Sequence, residues 1–154
     1  MNEKPYILIS QCLLGIHCRY DGSGALCPAL EALMKVCVPI PVCPEQLGGL
    51  PTPRPPAECR DGRVILRTGE DVTEAFEKGA EQALRLARLY GVRWAALKQR
   101  SPSCGSCEIY NGKFDGTRVP GSGIAAQRLA RAGIRVFDEN QMDELIEILE
   151  GEGR

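Results

Sequence analysis

The sequence predicts an α/β fold on a mostly parallel sheet of about four strands, and three observations carry this. Short apolar runs at 6–10, 38–42, 92–98 and 134–137 are largely continuous rather than alternating, as strands covered on both faces must be. Longer stretches with apolar residues at helical spacing separate them, and strand–helix alternation brings parallel pairing with right-handed crossovers. The third observation is where cysteine falls. Cys12 and Cys43 close the first two runs, and Cys104 follows the third. Ligands of open parallel sheets bind beyond the carboxyl ends of the strands, so thiols placed there converge on one region.

Each element has its own local reason. Residues 6–10 form the first strand, and 12–22 a loop ending on the Asp21-Gly22 turn signal. Leu26, Ala29, Leu30 and Leu33 predict a helix over 26–35, with Pro28 tolerated in its first turn. Pro39 and Pro41 remove ladder donors from the second strand, 38–42, and so place it near a sheet edge. Residues 43–56 read as a loop in which Pro51, Pro53, Pro55 and Pro56 favour an extended, rigid wall beside the site. Asp61-Gly62 turns a hairpin over 58–66. Asp71, with Glu74 as box partner, is the expected N-cap of a helix running to about Tyr90 and stopped by Gly91. Its apolar face carries Val72, Ala75, Phe76, Ala80, Ala83, Leu84 and Ala87.

The third strand, 92–98, leads into Arg100-Ser101-Pro102-Ser103-Cys104-Gly105-Ser106-Cys107, and Asn111-Gly112 predicts a second hairpin over 109–114. Pro120-Gly121-Ser122-Gly123 introduces a helix over 124–132, halted by Gly133. The fourth strand is 134–137, and Asn140, with Asp143 as box partner, is the expected cap of a closing helix through 149. The sum is a three-layer, Rossmann-like domain with helices on both faces and two hairpins inserted where they roof the site.

With 154 residues, the chain is long enough for one domain, 1–154, and short for two. Its 44% hydrophobic and 25% charged residues place it among soluble globular chains. The net charge of −1 and the lack of a Lys or Arg run argue against a nucleic-acid partner. The apolar run near the amino terminus is too short for a signal-peptide core, and no window has the length of a membrane span, so no membrane association is expected. The expected location is cytoplasmic. In that reducing compartment eight cysteines point to metal or catalysis rather than to disulfides.

A thiolate ligand needs a rigid position that metal can reach, and a strand end supplies both. Cys12, Cys43 and Cys104 are such positions, each beside Gly, Pro or Ser. They point to a metal site, with an iron–sulfur cluster as the first reading, although the spacing is not a compact ferredoxin-like run. Cys104 and Cys107 form a Cys-x-x-Cys pair, so Cys12, Cys43, Cys104 and Cys107 also make a possible four-cysteine zinc site in a binding or sulfur-carrier protein without catalysis. Cys27, Cys37 and Cys59 read as structural, whereas Cys18 and Cys107 lie in loops expected near the site.

Glu45 follows Cys43 by two residues and can serve as general acid or base if burial lifts its pKa; the plainer alternative is a solvated loop carboxylate. Ser101 and Ser103 can relay a proton or bind substrate, or bond their own backbone as loop serines often do. Tyr20, Asp21 and Lys98 are candidate pocket-lining residues. His17 is the only histidine, which nearly excludes Cys–His zinc patterns and weakens any Ser-His-Asp triad. Gly121-Ser122-Gly123 is as compatible with a turn and cap as with an anion site.

Five motifs together resemble the thiouracil desulfidase family over nearly the whole chain. They are Ser10-Gln11-Cys12-Leu13-Leu14-Gly15, Cys18-Arg19-Tyr20-Asp21-Gly22, Cys43-Pro44-Glu45-Gln46-Leu47-Gly48-Gly49-Leu50, Asp71-Val72-Thr73 and Lys98-Gln99-Arg100-Ser101-Pro102-Ser103-Cys104-Gly105. The resemblance implies an oxygen-sensitive 4Fe-4S cluster on Cys12, Cys43 and Cys104, with the fourth iron open to the sulfur of a thiolated pyrimidine. It implies hydrolase- or lyase-type C–S cleavage without net redox change, giving uracil and hydrogen sulfide. Glu45 and Ser101 are the candidate catalytic pair, and Tyr20, Asp21, Lys98 and Ser103 the candidate substrate contacts. The expected partner is a small thiobase, and the expected assembly a monomer or homodimer.

Overall fold

The computed structural model describes residues 3–152. β1 (Tyr6–Ser10) runs through a 3-10 turn, Gln11–Leu14, into the first cysteine loop, and α1 (Leu30–Met34) crosses to β2 (Val38–Val42). α2 (Pro44–Leu47) follows at once, then the hairpin β3 (Ala57–Arg60) and β4 (Arg63–Leu66), and the long α3 (Thr73–Leu89). β5 (Trp94–Leu97) precedes a second hairpin, β6 (Glu108–Tyr110) and β7 (Arg118–Pro120). α4 (Ile124–Arg131), β8 (Arg135–Asp138) and α5 (Met142–Glu152) complete the order. The main sheet is parallel in the order β2-β1-β5-β8, so the proline-bearing β2 lies at an edge as its missing donors require.

Successive strand residues face opposite layers. Ile7, Ile9, Trp94, Ala96 and Phe137 pack with Leu33 of α1 and with Leu145 and Leu149 of α5. Leu8, Val42, Ala95 and Leu97 pack with Leu84 and Ala87 of α3 and with Ala126 and Leu129 of α4. Each fully buried Leu or Ile contributes about 1.5–3 kcal/mol, which explains why unbroken apolar runs were required of these strands. Among the described residues no helix is long and apolar enough to cross a membrane.

Several local expectations are corrected, most of them by a competing hydrogen bond. The helix expected over 26–35 begins only at Leu30, and Leu26 is exposed. Ala25 N and Cys27 N donate instead to Cys12 O (2.8 Å) and Leu13 O (2.9 Å), which holds the preceding segment against the first cysteine loop. The start of the expected 43–56 loop is helical: α2 packs on α3 where Gly79 lies so close that a Cβ would meet Pro44 O at 1.8 Å. Asp71 sits one residue before the cap position of α3 and accepts from Thr73 N (2.9 Å), while Thr73 Oγ1 accepts from Val64 N (2.8 Å). The second hairpin does not turn on Asn111-Gly112. Its connection runs over 111–117: Lys113 N, the donor that would close a tight turn, bonds the Asn111 side chain instead (2.9 Å), and Gly112 N is held by Glu58. Asp138, not Asn140, caps the last helical segment: its side chain accepts from Asn140 N (2.7 Å), and its own N–H donates to the Gln141 side chain (3.0 Å).

Candidate functional site

The chain leaves β1 toward β2 on one side and returns to β5 on the other, so the strand order reverses between β1 and β5. Connections diverge at such a point and leave a crevice beyond the carboxyl ends. A cleft of about 470 Å³ opens there. Cys12 enters it from the turn after β1, Cys43 from the junction of β2 with α2, and Cys104 from the loop after β5. Cys18, whose involvement the sequence leaves open, lines it too and is buried.

Local bonding fixes these positions. Ser101 Oγ accepts from both Ser103 N and Cys104 N at 3.1 Å, and Gly105 N donates to Ser101 O at 2.9 Å, curling the loop tightly around its serine. The loop is stapled to the start of α4 by Ile124 N and Ala126 N, which donate to Pro102 O and Ser103 O at 3.0 Å. A Cβ on Gly123 would meet Ser103 C at 2.5 Å, so the Gly121-Ser122-Gly123 segment serves this close approach.

Burial, then the nearby thiols of Cys104 and Cys18, pushes the Cys12 thiol up to about 12, against the pull of Lys98 and Arg19. Burial also pushes Cys104 up to about 11, and burial with Cys43 does the same for Cys18. Without metal these thiols hold their protons at neutral pH, so a metal must displace them on binding. Among the described residues no three His, Cys, Asp or Glu side chains crowd around one point as ligands of a single ion do. Thiols brought to one cleft from three strand ends suit a cluster, which takes each thiolate on a separate iron.

Glu45 stands at the start of α2 with Oε1 paired to Arg54 Nε (3.1 Å) and Oε2 accepting from Ser103 Oγ (3.3 Å). Ser103 Oγ lies 3.0 Å from Ser101 Oγ and 3.5 Å from Cys104 Sγ. A hydrogen-bonded row, Arg54–Glu45–Ser103–Ser101, thus runs beside one of the three thiols. The buried Arg54 guanidinium also donates to Cys18 O (3.0 Å), Pro51 O (3.1 Å) and Thr52 Oγ1 (2.9 Å), tying the proline loop to the first cysteine loop.

A model of the 2-thiouracil desulfurase family matches residues 7–141. The chain belongs to that family. A solved structure of the 4Fe-4S-dependent thiouracil desulfidase TudS has 47% sequence identity and a TM-score of 0.90, covering 96% of this chain and 99% of its own. The Bacillus subtilis (strain 168) protein YbbK, named only as uncharacterized, is 41% identical over 150 residues, covering 91% of this chain and 99% of its own.

In this desulfurase-family chain the structure gathers most of the residues singled out from sequence. Cys12, Cys43, Cys104, Glu45, Ser101, Ser103, Tyr20 and Lys98 all line the cleft. Lys98 Nζ is committed in part to Glu139 Oε2 at 2.6 Å. Burial raises the Glu139 pKa, but the bonds from Lys98 and Gln99 N outweigh it and hold that carboxyl below its ordinary value. Asp21 lies outside the lining, exposed, with its side chain accepting from Ser23 N at 3.0 Å. Cys107 is also outside: its exposed thiol accepts from Gln99 Nε2 (3.1 Å) near Asp138, so the structure does not bring the second cysteine of the Cys-x-x-Cys pair to Cys12, Cys43 and Cys104.

Arg54 and Glu58 were not foreseen. Arg54 carried a signal: it is a lone charged residue inside the proline run, where solvation alone does not call for one. Glu58 carried none, because a strand carboxylate of a short hairpin is ordinarily solvated.

Proposed function

We propose that this chain carries a 4Fe-4S cluster on Cys12, Cys43 and Cys104 and removes sulfur from a small thiolated pyrimidine such as 2-thiouracil. Water replaces sulfur at the ring carbon, so uracil and hydrogen sulfide form with no net redox change and no electron donor. The observation that carries this reading is one cleft holding three buried thiols from three strand ends beside the Glu45–Ser103–Ser101 row. Similarity to TudS over nearly the whole chain supports it.

When bound, the cluster supplies a Lewis-acidic iron without a protein ligand, at which a thiocarbonyl can be polarised. The chain's residues manage position and protons. Ser101 is fixed by the two backbone N–H groups it accepts from, which aims its hydroxyl at Ser103 rather than leaving it to rotate. Water attacking the ring carbon must lose two protons and the departing sulfur must gain two. Glu45 is the group that accepts and returns them, reached through the Ser103 and Ser101 hydroxyls. Arg54 holds Glu45 in place and keeps its other oxygen occupied. The scale of the cleft, about 470 Å³, suits a free base or a compact derivative better than a folded nucleic acid, and the proposed setting is cytoplasmic, as a monomer or homodimer.

The test is anaerobic reconstitution with iron and sulfide, then metal and sulfide analysis and incubation with 2-thiouracil. About four iron and four sulfide per chain, with broad visible absorption, and release of uracil with stoichiometric sulfide are expected. Colourless protein with a single tightly held zinc, or cluster-loaded protein that leaves 2-thiouracil unchanged, overturns the proposal.

A further inference from the structure

Glu58 is a carboxylate that the chemistry above does not use. It lies on β3, is 8% exposed, and lines the cleft. Its Oε1 accepts from Gly112 N (2.9 Å) and Phe114 N (3.1 Å), and so seats the 111–117 connection on the first hairpin. Arg60 Nε donates to Gly112 O (2.8 Å) in the same latch. The second oxygen, Oε2, has no hydrogen-bond partner among the described residues. It is not sealed inside the protein, because no fully buried side-chain oxygen or nitrogen there lacks a partner. The cleft that Glu58 lines is the open space adjoining this nearly buried side chain.

A carboxylate oxygen is an acceptor only, and a partly desolvated one left without a donor is costly. The latch explains Oε1 and leaves Oε2 unexplained. Tyr110 and Phe114 line the same cleft, with the Arg67 guanidinium 5.5 Å over the Phe114 ring centroid, so aromatic rings share the cleft wall with the carboxylate. A planar heterocycle with an in-plane N–H fits this pairing of ring surface and acceptor.

We propose that Glu58 is a specificity-determining residue whose Oε2 accepts a ring N–H of the substrate. The cleft thereby selects thioamide-type rings, in which an N–H adjoins the thiocarbonyl, over their N-alkylated counterparts. This rests on the thiolated-pyrimidine reading above. Sites built to hydrogen-bond a polar group reject analogues lacking it far more strongly than apolar pockets discriminate size.

Glu58→Gln separates the two roles of the side chain. The amide oxygen still accepts from Gly112 and Phe114, so the latch stays, while the amide NH2 replaces the acceptor in the cleft with a donor. The measurement is calorimetric binding of uracil and of 1,3-dimethyluracil to the reconstituted protein, a readout that needs no turnover. Thermal midpoint, iron content and the KM and kcat for 2-thiouracil are measured alongside. The expected result is uracil binding weakened about tenfold or more in Glu58→Gln, with a raised KM, unchanged iron content and an unchanged midpoint. 1,3-Dimethyluracil should bind the wild type about as poorly as uracil binds the variant. Uracil that binds wild type and Glu58→Gln alike, fails to bind wild type, or is matched by its dimethyl analogue overturns the assignment. Glu58-dependent uracil binding in a protein that releases no sulfide from 2-thiouracil overturns the desulfurase reaction and leaves the assignment standing.

Discussion

Cys104 and Cys107 are three residues apart and live in opposite surroundings. Cys104 is buried on the cleft wall beside Ser103, whereas Cys107 is exposed on the outer side of the loop, with Gln99 and Asp138. Gly105 lies between them, packed so closely that a Cβ would meet Ser101 O at 2.9 Å, and the backbone turns there. The contrast teaches that Cys-x-x-Cys spacing is not by itself a dithiol or a metal half-site. The turn between the two cysteines decides whether they share a direction.

The largest effect that separates the two is metal loading. Cys104→Ser should leave reconstituted protein with well under half the wild-type iron and sulfide and no measurable sulfide release, while Cys107→Ser loads and turns over as wild type does. Equal iron loss in both would restore the four-cysteine reading and break the comparison. Next in size is the row beside Cys104. Glu45→Gln should lower kcat about 100-fold or more at unchanged iron content, as loss of a positioned acid–base group does. Arg54→Met should also lower kcat, with Arg54→Lys recovering part of it, since an ammonium can keep the ion pair but not every bond of the fork.

Thiol alkylation of the metal-free protein sharpens the comparison further. Because burial holds Cys104 up at about 11 and, with neighbouring thiols, Cys12 up at about 12, their reactive thiolate fraction rises about tenfold per pH unit between pH 8 and 10. Iodoacetamide followed by peptide mapping should therefore label Cys107 first at pH 8, with Cys12 and Cys104 gaining steeply as pH rises. The smallest effect is a control far from the cleft. Arg63 and then Thr73 hold the exposed Asp71 carboxyl down from 3.8 to about 2. Its contribution to folding is present above the ordinary carboxylate range and lost as pH falls from about 4 toward about 2. Arg63→Ala should flatten the acid limb of stability slightly there and leave iron loading untouched.

Much of this architecture was legible because it rests on local pattern. Continuous apolar runs named the four sheet strands, the prolines of 38–42 named the edge, and Gly91 and Gly133 named helix ends, both adopting positive φ (63° and 88°). The caps at Asp71 and Asn140 were misplaced by one or two residues, because Asx side chains bond the backbone two positions on in either arrangement and spacing alone does not choose. The Asn111-Gly112 turn failed for two reasons: Lys113 N, which would close it, bonds the Asn111 side chain, and a carboxylate 54 residues away holds Gly112 N.

The sequence by itself determined that three cysteines would stand at the carboxyl ends of three parallel strands, because strand order along the chain and the right-handed crossover rule leave little freedom there. Only the tertiary structure decided which thiols face a common space, that Arg54 reaches back to Glu45 and Cys18, and that Glu58 lines the cleft while holding Gly112 and Phe114. Those contacts join loops far apart in the chain. Their geometry is set by how the layers pack and how tightly glycines such as Gly79 and Gly123 let backbones approach, which no window of sequence contains.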